Sequence, residues 1–536
     1  MDPTNNIIHL TRATDNNSWD IIESFFQKNQ SSDLNGLVNF INNFDIDITT
    51  DSSILESYLT DWANNKGEAI GLCRPKNANE CGIIIRCFYK YKMPYTLCAG
   101  QTALTGSSCP SGGFVVSLEK MRFPSVKVDL DLNTIDSPVG IYLEDLRTQV
   151  QEQSKGRLIY PVDPTSRNEA MVGGTISCNA SGFVPGQAGS TRYWVEGIEF
   201  IFPNGYGFFA DRGQYVSDNS LFNLKNEEEL IIFKVPTYPR PKIKNASGPY
   251  SSNGNNVDIV DCIIGSEGIY GMITRCKLKA KVKPKGYLDL FLCLNSEDEA
   301  LDFYNKLSEY LDGNFSLLTA LEYFGYNCQK YMKHKNHFFK RKNQVGIYMQ
   351  TPIDNSFDET CLEWIKAIDS FKMDLDDSSI FVLNDKRQWK LFFEARHSMP
   401  VKALEQSKDL KSEGIITDTI VPPNNFSKFL KNVHKIISKS KIEYLLFGHL
   451  GDCHLHFHLI PSSEQETRGK DVYNEIVKLS SSLGGVYSAE HGTGKRKRND
   501  FIECYGKSAL QEVLKSKLSV DCYSLVNTGN VIKNDK

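Results

Sequence analysis

The period of the apolar positions changes along the chain, and the changes mark its parts. Residues 1–60 are polar and Asn-rich with helical patches such as SWDIIESFF, which predicts a short helical lead-in. Between 61 and 284, short runs that read as strands (CGIIIRCF, GGFVVSLEKM, VEGIEFIFPNG, VDIVDCIIG) alternate with Gly-rich turns around one helix near IYLEDLRTQVQEQ. That texture predicts an α+β domain whose loops, not its strands, carry the glycine. The stretch RPKIKNASGPYSSNGNN (240–256) predicts a long loop. From 285 to 500, strands (YLDLFLCL, NQVGIYMQ, IEYLLFGHL) alternate with amphipathic helices (SEDEALDFYNKLSEYL, FSKFLKNVHKIISKS), a second α+β domain. Residues 501–536 form a closing segment.

Inside the second domain, GHLGDCHLHFHL (448–459) has the period of a strand. His454, His456 and His458 fall on one face, and Leu455, Phe457 and Leu459 on the other. The apolar face belongs to the core. The imidazole face then lines a polar cavity, with His449 and Asp452 arriving from the Gly-flanked turn. Four histidines this close point to a metal or catalytic site, because imidazole is the commonest metal ligand.

Composition narrows the class. A chain of 536 residues is too long for one core, and 40% apolar with 24% charged residues is ordinary for a globular protein. A net charge of -4 and a pI near 6.2 give no electrostatic case for nucleic acid. The basic run 495–498 is local and reads as a solvated turn unless it faces an anionic cofactor or substrate. The 14 cysteines form no CxxC pair, which argues for reduced thiols rather than a zinc ribbon or disulfide framework. No apolar run is long enough to span a bilayer and no targeting pattern opens the chain, so a cytoplasmic protein, at most peripheral to a membrane, is expected.

Three loops carry backbone N–H groups at glycines beside small hydroxyl side chains: 98–113, 160–197 and 263–274. Such nests suit a pyrophosphate, although neither GxGxxG nor a P-loop is present. In this order the loops resemble the flavin-binding half of the vanillyl-alcohol oxidase / p-cresol methylhydroxylase superfamily. Gly100, Gln101, Thr102, Ala103, Leu104, Thr105 and Gly106 are similar to its pyrophosphate loop GGGTSLTG, with Gln101 and Ala103 departing from it. Pro164, Gly173, Gly174, Asn179, Ser181 and Gly182 are similar to its second flavin stretch. GSEGIYGMIT supplies Gly268 and Ile273, and LVNTGNVI resembles the NPGK ending, with Asn527 retained. The resemblance implies a two-part FAD-binding domain of the p-cresol methylhydroxylase type, a substrate (cap) domain, and a C-terminal segment that returns to the flavin. It also implies noncovalent FAD, since the first loop lacks the histidine that some relatives use for attachment.

Within that superfamily, GHLGDCHLHFHL with VYSAEHGTGKRKR resembles the D-2-hydroxy-acid dehydrogenases, whose pattern is HxGDGNxH followed by SxEHGxG. The resemblance implies a divalent metal (Zn, Mn or Fe) on His449, His456 and Glu490, with His491 as acid/base. Three N/O ligands leave a position open for substrate. The family's Asn is His454 here and its Gly is Cys453; His458 shares the strand face and is a candidate substrate contact, as is His454. Arg396, in FFEARHSMP, stands where the family keeps a carboxylate-gripping arginine, and guanidinium suits that task through two parallel hydrogen bonds. In IITDTIVP (415–422), Ile416 replaces a lysine that hydroxyglutarate dehydrogenases carry. A second carboxylate would lack its partner there.

The expected reaction is therefore oxidation of a D-lactate-like acid, with hydride passing to flavin N5 and then to an unnamed acceptor: a quinone, a cytochrome or an electron-transfer protein. The rival readings are a D-2-hydroxyglutarate dehydrogenase, a non-redox enzyme like alkyl-dihydroxyacetonephosphate synthase, and a flavin-free metal-binding or scaffold protein.

Overall fold

A computed structural model describes residues 7–28, 33–373, 375 and 377–533. Two sheets share the N-terminal core. The four-stranded one runs in the order Ile48–Thr49, Gly71–Cys73, Phe114–Ser117, Tyr95–Cys98, with its last three strands parallel. The six-stranded one is antiparallel and centred on Val195–Ile201 and Met272–Lys279. Tyr95, Phe114 and Val116 from the first pack in one core with Ile198, Phe200 and Cys276 from the second. The glycine loops lead into Phe114–Ser117, Val195–Ile201 and Met272–Lys279.

The second domain is a seven-stranded antiparallel sheet in the order Ile380–Val382, Gly286–Leu294, Val345–Ile353, Ala320–Phe324, Glu443–His449, His454–Ile460, Ile415–Ile416. Strand alternation assigns its faces. Leu288, Leu290 and Leu292 join Leu455, Phe457 and Leu459 beneath the helices Glu297–Tyr310, Pro423–Ser440 and Glu466–Ser482. Phe291 and Cys293 look the other way, onto Phe392, Ala395, Met399 and Ala403 of the helix Lys386–Asp409.

The helix Arg498–Val520, broken at Gly506, then carries the chain back. Its Val513 and Val520 enter the N-terminal core, and Val526 pairs with Tyr95.

Three local readings need correction. CGIIIRCF is part of the helix Ala78–Tyr91, not a strand: Asn77 caps it, accepting the Glu80 N–H at 3.0 Å, and every residue from Cys81 to Phe88 is buried. A helix apolar on all sides shows no 3.6-residue period, so a short apolar run of this kind is ambiguous. VDIVDCIIG likewise turns into the short helix Ile259–Ile263, capped by Asp258. The lead-in is not only helical. Beside its helices Asn16–Lys28 and Leu34–Asn42, its strands Ile7–His9, Thr11–Arg12 and Ile48–Thr49 each pair into a sheet of the first domain. Residues 1–6 and 29–32 of that stretch lie outside the described residues.

Candidate active site

A cavity of about 550 Å³ lies between the glycine loops and the histidine strand. On the first side it is lined by Gly100, Gln101, Thr102, Ala103 and Leu104, by Pro164, Gly173, Gly174, Ser181 and Gly182, and by Gly268, Ile273 and Asn527. The loops press together tightly. A Cβ on Gly100 would stand 1.9 Å from the Glu169 carbonyl oxygen, so only glycine allows that approach. Gly268 has φ +68° and lies against the Asn527 amide. Asn527 is itself a brace: its Oδ1 accepts the Leu97 N–H at 2.7 Å and its Nδ2 donates to the Glu267 carbonyl at 2.7 Å.

Thr105, Gly106 and Asn179, also expected at the flavin, stand behind the wall. The Thr105 carbonyl accepts the Lys495 and Arg496 N–H groups, Gly106 N–H donates to Asp61, and Asn179 accepts the Arg192 N–H.

The opposite wall carries Arg396, His449, His456, His458, Glu490 and His491. The hairpin 443–460 presents the two ligand candidates. His449 closes one strand, a one-turn helix, Leu450–Asp452, reverses the chain, and the next strand starts at His454. Cys453 completes the reversal at φ +56°, a left-handed conformation that glycine adopts without strain.

Each ring has one nitrogen committed. His449 Nδ1 donates to Glu322 Oε1 at 2.7 Å, and His456 Nδ1 to the Thr417 carbonyl at 3.1 Å. With their Nδ1 atoms committed to acceptors, both rings turn Nε2 toward Glu490, at 3.6 Å and 3.4 Å. Donors ~2.1 Å from a tetrahedral cation stand about 3.4 Å apart.

Charge points the same way. Burial opposes a charged His449, yet Glu322 and Glu490 raise it to about 10, so this position attracts positive charge. Burial would raise the Glu322 and Glu490 carboxyls, but their cationic neighbours hold both below the usual range. The donor set therefore suits a divalent cation.

His454 does not line the cavity. Fully buried behind it, its Nε2 lies 3.1 Å from Asp418 Oδ1, off the line of a hydrogen bond, and burial followed by His456 lowers it to about 3. Its ring nitrogen nevertheless falls within 4.8 Å of the donors of His449, His456 and Glu490. His458 lines the cavity and is pushed down to about 3, first by burial. Burial also lowers His491 to about 4 against the pull of Asp418, which leaves the ring neutral at neutral pH.

Four charged residues that the sequence reading assigned no role complete the arrangement. Asp418 accepts the His491 backbone N–H at 3.1 Å and the Ser488 hydroxyl at 2.5 Å, and it faces His491 Nδ1 at 3.4 Å. Lys497 Nζ donates to the same carboxylate at 2.9 Å. Lys244, from the long loop 240–256, buries its ammonium 3.1 Å from Glu490 Oε2 and 3.4 Å from Asp452 Oδ2. Burial would discharge it, but those two carboxylates raise its pKa. Glu322 also stands 3.8 Å from Arg396, whose guanidinium lies over the Phe183 ring.

Of these, Glu322 left a trace in the sequence, as the one charge in the apolar strand ALEYF. The basic run 495–498 is not a solvated turn: Lys495 Nζ is drawn onto the Cys109 carbonyl and Asn530, and Lys497 onto Asp418.

The two walls correspond to two known families. Residues 69–207 match the FAD binding domain, and residues 334–531 match the C-terminal domain of FAD linked oxidases. The chain belongs to the flavoproteins with an FAD-binding domain of the p-cresol methylhydroxylase type. It is 24% identical over 477 residues to glycolate oxidase subunit GlcD of Bacillus subtilis, covering 86% of this chain and 88% of that protein. It is 22% identical to D-lactate dehydrogenase of Anaerostipes hadrus (88% and 92% covered) and 23% identical to D-2-hydroxyglutarate dehydrogenase of Stutzerimonas stutzeri (90% and 96%). Among solved structures, 4-ethylphenol oxidase from Gulosibacter chungangensis superposes with a TM-score of 0.66 at 12% identity, covering 97% of this chain and 98% of that one. Alkyldihydroxyacetonephosphate synthase superposes with 0.63 at 14%, covering 92% and 85%. At those identities the structural likeness is one of fold.

Proposed function

We propose that the protein oxidises a D-2-hydroxy monocarboxylate of the D-lactate kind to the 2-oxo acid. One observation carries the reading: two imidazoles with committed Nδ1 protons face Glu490 in the same cavity as Arg396 and His491, beside the flavin-binding loops. His449, His456 and Glu490 would hold a divalent cation, Zn, Mn or Fe. Bound FAD supplies the hydride acceptor and the cation supplies an acidified 2-hydroxyl.

The remaining work falls to the chain. Arg396, held by Phe183 stacking and only a long contact to Glu322, is available to pair with the substrate carboxylate. His491, neutral and with Nδ1 turned to Asp418, takes the hydroxyl proton at Nε2. Asp418 steadies the resulting imidazolium. Phe183, Phe447 and Pro400 line the cavity and keep water from the reacting carbon. Ile416 lines it too and offers no cation to pair with a second carboxylate on that side.

The relatives act on D-lactate, glycolate or D-2-hydroxyglutarate by name, and Ile416 favours the monocarboxylates. The test is a panel of D- and L-2-hydroxy acids with an artificial dye as acceptor. D-Lactate should reduce the dye and L-lactate should not. Faster turnover of D-2-hydroxyglutarate than of D-lactate would refute the monocarboxylate assignment. The physiological acceptor is expected to be a quinone, a cytochrome or an electron-transfer protein.

A further inference from the structure

The helix Lys386–Asp409 is apolar on both faces. Phe392, Ala395, Met399 and Ala403 pack inward on the sheet. Half a turn away, Trp389, Phe393, Val401 and Leu404 are 38%, 47%, 55% and 57% exposed. At 1.5 Å per residue these four mark a stripe about 22 Å long. The four follow the helical repeat of a single outward face, unlike the scattered apolar residues that any surface carries.

Basic side chains stand within the stripe and beyond its two ends. Lys386, Arg387, Lys390 and Lys408 are exposed on the helix itself, outnumbering its exposed acids Glu405 and Asp409. Packed along its flank is the segment 330–342, which has six Lys or Arg and no Asp or Glu. Contacts hold the two together: Lys333 N–H donates to Ser398 Oγ at 2.8 Å, His334 Nε2 meets Glu394 at 2.8 Å, and His337 Nε2 meets Gln388 at 2.8 Å. This positive face stands out on a chain whose net charge is -4.

We propose that this face docks on an anionic lipid bilayer. Large apolar side chains, Trp and Phe among them, interspersed with flexible lysines on one helix face are the composition of a helix that lies in the headgroup plane. An acidic protein partner would satisfy the lysines but leave the crest without an apolar counterpart. No helix among the described residues is long and apolar enough to cross a membrane, so the contact is peripheral. Arg396 and Pro400 of the same helix line the cavity, so the docked face adjoins the site.

The test is flotation of the full-length holoprotein with vesicles of phosphatidylcholine and phosphatidylglycerol (3:1) at low salt, beside vesicles of phosphatidylcholine alone. We expect at least roughly tenfold tighter binding to the anionic vesicles, weakened by salt, since each lysine near such a surface contributes about a fivefold gain. Lys386→Glu with Lys390→Glu should cut binding roughly tenfold or more, and so should Phe393→Ser with Leu404→Ser, both with dye reduction by the soluble substrate unchanged. Failure of the wild-type protein to float overturns the proposal. Full binding by the Phe393/Leu404 variant overturns it too, because a purely electrostatic contact is the kind an acidic protein makes. A wild-type dimer that this variant abolishes, without vesicle binding, would instead assign the face to a second copy of the chain.

Discussion

The two walls of the cavity are built on opposite principles. The flavin-side wall works by what its residues lack: Gly100 admits the Glu169 carbonyl only because no Cβ intervenes, and Gly173, Gly174 and Gly182 line it with bare backbone. The facing wall works by what its residues carry, imidazoles and a carboxylate oriented by charged side chains. His449 is held by Glu322, His491 by Asp418, Glu490 by Lys244. One wall should therefore fail by steric collision and the other by loss of charge, and each should fail without the other.

Gly100→Ala is expected to have the largest effect. With backbone on both sides of the collision nothing can yield cheaply, and a cost of about 3 kcal/mol or more should leave the purified protein without its visible flavin absorbance. Retention of stoichiometric FAD would show that the loop is not the tight cradle described.

On the charged wall, His456→Ala should lose bound metal and turnover together, measured by elemental analysis beside dye reduction. His491→Ala should keep flavin and metal while turnover drops by roughly a hundredfold to ten-thousandfold. Full activity in a metal-free His456→Ala protein would make the histidine strand structural. Glu322→Gln takes away only the orienting charge, so metal affinity should weaken by about ten- to a hundredfold with FAD content unchanged. A variant that lost flavin as well would erase the distinction between the walls.

The smallest effect tests a charge within the flavin half. Asp261 binds Arg192 at 2.9 Å and Arg212 at 3.1 Å. Burial would raise its carboxyl, but the two guanidiniums bring it below the usual value of 3.8. A carboxylate depressed in the folded state contributes stability that is present above its unfolded pKa and lost as pH falls through the folded one. Asp261→Asn should accordingly flatten the fall in urea midpoint below about pH 4. An unchanged acid limb would remove Asp261 from the account.

The same contrast explains what could be read from sequence. Glycine requirements are local, so the three loops announced themselves in order, and the period of two in HLHFHL placed His456 and Leu455 on opposite faces without knowledge of the fold. Orienting charges are not local. Glu322 reaches His449 across 127 positions, and Asp418 reaches Lys497 across 79. Lys244 sat in a stretch whose composition said only loop. His454 looked like a cavity residue because alternation gives a face, not a depth. The helix Ala78–Tyr91 was misread because an apolar run as short as CGIIIRCF does not distinguish a buried helix from a strand.

The brace at Asn527 sets an order in time. That side chain joins Leu97 to Glu267, and Tyr95 gains a strand neighbour at Val526. On a ribosome, everything else that lines the cavity emerges earlier, yet the cradle cannot close until residue 527 has left the exit tunnel. Flavin capture is thus among the last events of synthesis, and the nascent chain must keep its glycine loops from aggregation until then.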